Sequence, residues 1–168
     1  MTGVAGKVAL VTGCGSAGGI GFATARLLHA AGAKVAITST TDRIEERLAE
    51  LGGGAGETFA TPADLTDAAQ VTALVDGTSA ALGPIDILVN NAGMVQVGRD
   101  EPSQPLHETS EEGWHYGIDI NLTSCFLVTR AVLPGMVARG AGHIVNLGSV
   151  AGTYPYFGAN VYGATKAF

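Results

Sequence analysis

Two cysteines, three lysines and six prolines in 168 residues leave several kinds of protein out of reach. Cys14 and Cys125 lie far apart without metal-ligand spacing, which excludes a disulfide scaffold or zinc module and suits free thiols in a reducing cytoplasm. Lys7, Lys34 and Lys166 form no basic cluster, and 15 acidic against 9 basic residues give a net charge of -6. Neutralising the phosphates of a nucleic acid is therefore not expected. No uninterrupted apolar run approaches the roughly 20 residues that span a bilayer. The first residues lack the charged start and apolar stretch of a signal peptide, so no membrane partner and a cytoplasmic location are expected. The 25 glycines keep no three-residue period, which rules out a collagen-like chain. What is present is 46% apolar residues, enough for one core, and a single domain over residues 1–168 is expected.

Short apolar runs alternate with stretches of helical period. Lys7 to Thr12 reads as a buried strand, and Ile20 to Ala31 as a helix turning Phe22, Ala23, Leu27 and Leu28 inward. Val35–Ile37 is the next strand, followed by a helix over 42–51 with Ile44, Leu48 and Leu51 inward. A third strand at Thr58–Ala60 precedes a helix over 67–82, and Ile85–Val89 is a fourth strand. A loop is expected over roughly 93–107, a long helical region from Glu111 to Arg139, a fifth strand at His143–Leu147, and the start of another helix. Strands apolar on both faces, separated by helices, imply a parallel sheet covered on both sides.

Between the first strand and the first helix lies Thr12-Gly13-Cys14-Gly15-Ser16-Ala17-Gly18-Gly19-Ile20-Gly21. Glycines allow a tight turn and the close approach of a pyrophosphate, and the helix N-terminus offers it unpaired N–H groups. The same glycines also serve in ordinary turns, but a strand before and a helix after supply the context of a nucleotide loop.

This loop, together with Asn90-Asn91-Ala92-Gly93 and Tyr162-Gly163-Ala164-Thr165-Lys166, resembles the short-chain dehydrogenase/reductase family along the whole chain. The resemblance implies an α/β fold, a Rossmann-type doubly wound parallel sheet in three α/β/α layers. It also implies a chain lacking the family's last strands and pocket-closing segment. Five residues, Cys14 to Gly18, separate Gly13 from Gly19, where the family usually has three. That spacing is similar to the enoyl-reductase branch, whereas Tyr-x-x-x-Lys is similar to the classical branch. The roles of Gly15, Ser16 and Gly18 stay open for that reason.

The resemblance assigns cofactor binding to Gly13, Ser16, Gly19, Ile20 and Gly21 in the loop, to Asp64 and Leu65 near the adenine, to Asn91, Ala92 and Gly93, and to Tyr162 and Lys166. Asp64 could instead cap the helix that follows. At the end of the second strand an acidic residue would favour NAD. Here Ser39-Thr40-Thr41 are neutral donors with Arg43 close behind, so Thr40 and Arg43 favour NADP(H) over NAD(H), with Asp42 as a nearby complication.

Tyr162 and Lys166 share one helix face at a spacing of four. A free phenol of pKa about 10 is a weak acid–base group at neutral pH, and a neighbouring ammonium favours its ionised form. Outside this pattern such a pair would be a solvated helix face. By resemblance, Tyr162 transfers the proton, Lys166 tunes it and reaches the nicotinamide ribose, and Ser149 polarises the substrate oxygen. Asn121 holds a water of the proton relay, although a mid-helix asparagine can also be a local bend. No metal site is expected, since His29, His107, His115 and His143 share no ligand spacing. The expected activity interconverts a ketone and a secondary alcohol, in the manner of a 3-oxoacyl reductase or related alcohol dehydrogenase. The alternatives are an enoyl-reductase-like activity, or a non-catalytic shortened chain that binds nucleotide weakly. The partners implied are a small carbonyl or alcohol substrate and, if the fold is complete, a second copy of the chain.

Overall fold

A computed structural model describes residues 3–94, 105–154, 158 and 160–167. Five strands form one parallel sheet in the order β3-β2-β1-β4-β5. They are β1 (Val8–Val11), β2 (Lys34–Ser39), β3 (Thr58–Pro62), β4 (Ile87–Asn90) and β5 (His143–Asn146). The strand order reverses between β1 and β4, which are paired from Ala9 opposite Ile87 to Val11 opposite Val89. In an open parallel sheet that reversal opens a crevice at the carboxyl ends of the strands.

Alternation along each strand divides the core in two. Val8, Leu10, Ala36 and Leu88 face α3 (Ala68–Leu82) and α5 (Ser124–Arg139), meeting Val71, Leu74, Leu127, Val128 and Val132. Ala9, Val11, Val35, Ile37 and Val89 face α1 (Ile20–Ala30) and α2 (Arg43–Leu51), meeting Phe22, Ala25, Ile44 and Leu51. These are the layers expected of a doubly wound sheet, except at β5, which is exposed at every position, so the covering stops short of that edge.

Particular boundaries differ from the sequence reading. Ile85 is buried but precedes β4, because Asp86 turns its carboxylate to accept from the Val8 N–H at 3.1 Å. In α1, Phe22 and Ala25 take the inward positions, whereas Leu27 is 73% exposed and Ala23 is also outside. Helix α3 has its cap at Asp67, whose carboxylate accepts from the N–H groups of Ala69 and Gln70, so Asp64 does not cap it. Most of the expected loop over 93–107 lies outside the described residues, and a single 3₁₀ turn, Leu106–Glu108, is seen within it.

The helical region from Glu111 to Arg139 is continuous but not uniform. It runs as α4 (Glu111–Ile118), one π-helical turn (Asp119–Thr123) and α5. By length and composition it could cross a membrane, a point that short apolar runs did not suggest. Its inward residues Leu127, Val128, Val132 and Met136 instead cover the sheet and α3. Pro134 sits on its exposed side, where the missing N–H is least costly. A short α6 (Asn160–Lys166) packs against α4, with Val161 so close to Gly117 that no Cβ would fit there.

Truncating Leu88, which is fully buried, to alanine should lower the unfolding free energy by about 2–5 kcal/mol. The same change at exposed Leu27 should stay within about 0.5 kcal/mol. Urea denaturation of the two variants checks the orientation of α1 as well as the core.

Candidate active site

The crevice is built where β1 and β4 end. Thr12 is buried, and its hydroxyl accepts from the N–H groups of Asn91 and Ala92, both at 3.0 Å. The Asn91 side-chain amide in turn donates to the carbonyls of Thr12 and Gly13 at 2.9 and 3.1 Å. These bonds hold the two loops together, and they leave no room for side chains between them. Gly13 has φ 72°, and a Cβ there would lie 2.8 Å from Ala92 Cα. A Cβ on Gly21 would strike the Asn91 amide and approach the Gly13 carbonyl at 2.8 Å.

The first turn of α1 carries no acidic residue, and its cap, Gly19, offers no side-chain hydrogen bond. Its N–H groups are therefore open to an anion. Ser16 and Gly19 close a turn through Gly19 N–H to Ser16 O at 3.0 Å, and Ile20 stands 67% exposed beside it. Cys14 is fixed differently: its N–H donates to Thr38 O, and burial pushes its thiol up to about 12. That thiol stays protonated and serves as packing.

At the end of β2, Thr40 and Arg43 are exposed, and Arg43 Nε donates to the Thr41 hydroxyl at 3.2 Å. The carboxylate of Asp64 accepts from the N–H and hydroxyl of Thr66, closing the turn before α3, while Leu65 is buried in the core. Residues with these properties fit a dinucleotide: open N–H groups for the pyrophosphate, a cation and hydroxyls beside it, and glycines where the backbone must come near.

The reactive candidates gather at the other side of the crevice. Asn121 is buried in the π-helical turn, where its amide donates to the carbonyls of Gly117 and Met94, and its Oδ1 accepts from Met94 N–H at 2.9 Å. Gly93 marks the meeting point. A Cβ on it would lie 2.6 Å from Asn121 Oδ1 and 3.4 Å from Lys166 Nζ. Lys166 donates to Leu147 O at 2.8 Å, and its Nζ lies 5.7 Å from the centre of the Tyr162 ring. Burial pushes the Lys166 ammonium down from its usual range, partly offset by Cys125. Ser149 starts a 3₁₀ turn (Val150–Gly152), its hydroxyl accepting from Ala151 N–H at 3.1 Å. A Cβ on Gly152 of that turn would strike the Lys166 carbonyl, and one on Gly163 would lie 2.9 Å from the Ala151 carbonyl. The turn is thereby seated on α6, with Ser149 at the same end of the sheet as Tyr162 and Lys166. Among the described residues no three His, Cys, Asp or Glu side chains come together to hold a metal.

Thr12 and the Leu147 carbonyl are contributors that the sequence reading passed over. A lone threonine at the end of an apolar strand was the available signal for the first. A backbone carbonyl leaves none.

The sequence profile of the short chain dehydrogenases matches residues 7–168, and the chain belongs to that family. It is 43% identical over 162 residues to the NADP-dependent 3-hydroxy acid dehydrogenase YdfG of Escherichia coli, covering 96% of this chain and 61% of that protein. It is 38% identical to the cis-4-hydroxycyclohexanecarboxylate dehydrogenase of Sinomonas cyclohexanicum, covering 96% and 62%. The closed form of a serine dehydrogenase complexed with NADP+ superposes with a TM-score of 0.84 at 41% identity, covering 96% and 61% of the two chains. The chain thus spans about three fifths of the length of these relatives.

The glycine loop gives a direct check on this geometry. Gly21→Ala should destabilise the protein by about 1–3 kcal/mol through overpacking against Asn91 and weaken nucleotide binding. Gly18→Ala, with nothing within 4 Å of the added carbon, should leave the melting temperature unchanged. Thermal denaturation with and without nucleotide separates the two.

Proposed function

We propose that this chain carries the nucleotide-binding and reactive residues of an NADP(H)-dependent oxidoreductase that interconverts an alcohol and a carbonyl compound. The observation that supports it best is the junction at Gly93, where Asn121, Lys166 and the loop after β4 converge beside Tyr162. Bound NADP(H) supplies or accepts the hydride. Gly13, Ser16, Gly19, Ile20 and Gly21 would receive the pyrophosphate at the α1 N-terminus. Thr40 and Arg43 would receive the 2′-phosphate, Asp64 and Leu65 would border the adenine, and Asn91, Ala92 and Gly93 would line the inner half.

Tyr162 is the proton donor to the substrate oxygen in the reducing direction. Lys166, half-buried four residues on, sets its Nζ 5.7 Å from the centre of that ring, the position from which it would assist the proton transfer. The Ser149 hydroxyl steadies the same oxygen, and Asn121, whose side chain holds the loop at Met94, would hold a water of the proton relay. The substrates in the names of the relatives, a 3-hydroxy acid, serine and a 4-hydroxycyclohexanecarboxylate, each join a hydroxyl to a carboxylate. A hydroxy acid and its oxo counterpart are therefore the proposed substrates, with a 3-oxoacyl thioester as the second panel to test. Tyr162→Phe should lower kcat by at least about 10²-fold while leaving the Kd for NADPH within twofold. Retained turnover in that variant would remove Tyr162 from the chemistry, and binding without turnover in the unsubstituted chain would confine these residues to a nucleotide-binding role.

Self-association belongs to the same proposal. Phe126, Leu133 and Val137 stand 55%, 42% and 69% exposed on α5, and Trp114 of α4 is 37% exposed. Pairing α4 and α5 with a second copy would cover them. Sedimentation should show a dimer or larger species, and Val137→Glu should shift it toward monomer at the same concentration.

A further inference from the structure

The turn that follows β2 contains a hydroxyl whose position has a consequence for cofactor choice. Ser39 ends the strand, and its Oγ donates to the Thr41 carbonyl at 2.9 Å while accepting from the Thr41 N–H at 3.4 Å. This reciprocal closure fixes Thr41 relative to the sheet. The Thr41 hydroxyl then accepts from Arg43 Nε at 3.2 Å, across two residues at the start of α2. Only Nε is engaged by this bond, so both terminal nitrogens of the guanidinium keep their outward donors for a bidentate anion contact. The phosphate loop reaches the same place, since a Cβ on Gly15 would come within 3.0 Å of Ser39 Cβ. Arg43 is exposed, and without such a holder an arginine on a surface helix loses substantial rotamer entropy when it binds.

We infer that Thr41 is a positioning residue for cofactor specificity, holding the Arg43 fork toward the 2′-phosphate of NADP(H) by accepting from its Nε. The inference rests on the NADP(H) reading given above and adds the residue through which Arg43 acts. Thr41 contributes to discrimination between phosphorylated and unphosphorylated dinucleotides and leaves the rest of the cofactor site alone.

Calorimetric titration of NADPH and NADH into the wild-type chain, Thr41→Val, Thr41→Ser, Arg43→Ala and the Thr41→Val/Arg43→Ala double variant tests it. Thr41→Val should weaken NADPH about threefold to tenfold and change NADH by less than twofold. Thr41→Ser, which keeps the acceptor, should restore NADPH binding. In the Arg43→Ala background the valine should have no further effect, because its influence passes through the guanidinium. Equal losses for both nucleotides would make Thr41 a general structural residue and overturn the inference. A full valine effect persisting without Arg43 would mean direct contact with the phosphate and overturn it as well. If wild type prefers NADPH and Arg43→Ala loses that preference, yet Thr41→Val does not, only this inference fails. A wild-type chain that prefers NADH, or binds neither nucleotide, overturns the NADP(H) reading and the inference with it.

Discussion

At the carboxyl ends of β1 and β4, two adjacent asparagines tie the two halves of the crevice to one sheet. Asn91 serves the nucleotide side, donating to the Thr12 and Gly13 carbonyls while its own N–H is held by the Thr12 hydroxyl. Asn90 serves the reactive side. Its amide donates to Thr129 Oγ1 and Asn146 Oδ1, both at 2.9 Å, and its carbonyl accepts from the Leu147 N–H. Leu147 then offers its carbonyl to Lys166. Neighbouring residues at a strand end point to opposite sides, so one dipeptide reaches both. Burying these amides is costly unless they are paired, and the pairing fixes the distance between the glycine loop and α6. The Asn90 Oδ1 atom remains buried without a partner among the described residues, which marks the reactive side as the less completely satisfied of the two.

The π-helical turn solves a related problem. A helix of constant pitch from Glu111 to Arg139 would leave the polar Asn121 as an ordinary surface or core position. The wider turn changes the phase between α4 and α5, and the Asn121 amide takes up the Gly117 carbonyl four residues back. The same side chain clamps both polar groups of Met94, so the loop after β4 is closed against the helix region that faces α6. Local departure from regular structure thus supplies a buried polar contact where the loop after β4 meets the π-helical turn.

Much of the architecture was legible because it depends on apolar runs and glycines, which leave strong marks. Val8–Val11 and Ile87–Asn90 are buried at every position, and such strands can only sit in a doubly covered sheet. Helix faces were harder. Leu27 and Phe22 both suit an inward stripe, and only the packing of α1 against β1 and β2 decides that Phe22 and Ala25 go in. The carboxylates illustrate a different limit. Asp64 and Asp67 are equally good caps by sequence, but three residues separate a turn-closing role from a helix-capping one. Tyr162 and Lys166 were visible as a spaced pair, whereas the Leu147 carbonyl that Lys166 engages is backbone and carries no sequence signature.

The unusual length of the glycine loop follows from the same division of labour. Gly13 and Gly15 are confined by Asn91, Ala92 and Ser39, and Cys14 between them is tied to Thr38 and buried. No extra residue could enter that part without displacing a strand end. Ser16, Ala17 and Gly18 are exposed, and a Cβ on Gly18 would meet nothing within 4 Å. Additional chain is therefore accommodated there, in a turn closed by Gly19 N–H to Ser16 O, and α1 begins in contact with Gly13 through Gly21. The spacing between Gly13 and Gly19 then carries little information about the chemistry, because it measures the outward part of the loop and leaves its contacts with Asn91 unchanged. The outward part of the loop thus varies without touching the meeting point at Gly93, where Asn121 and Lys166 approach one another.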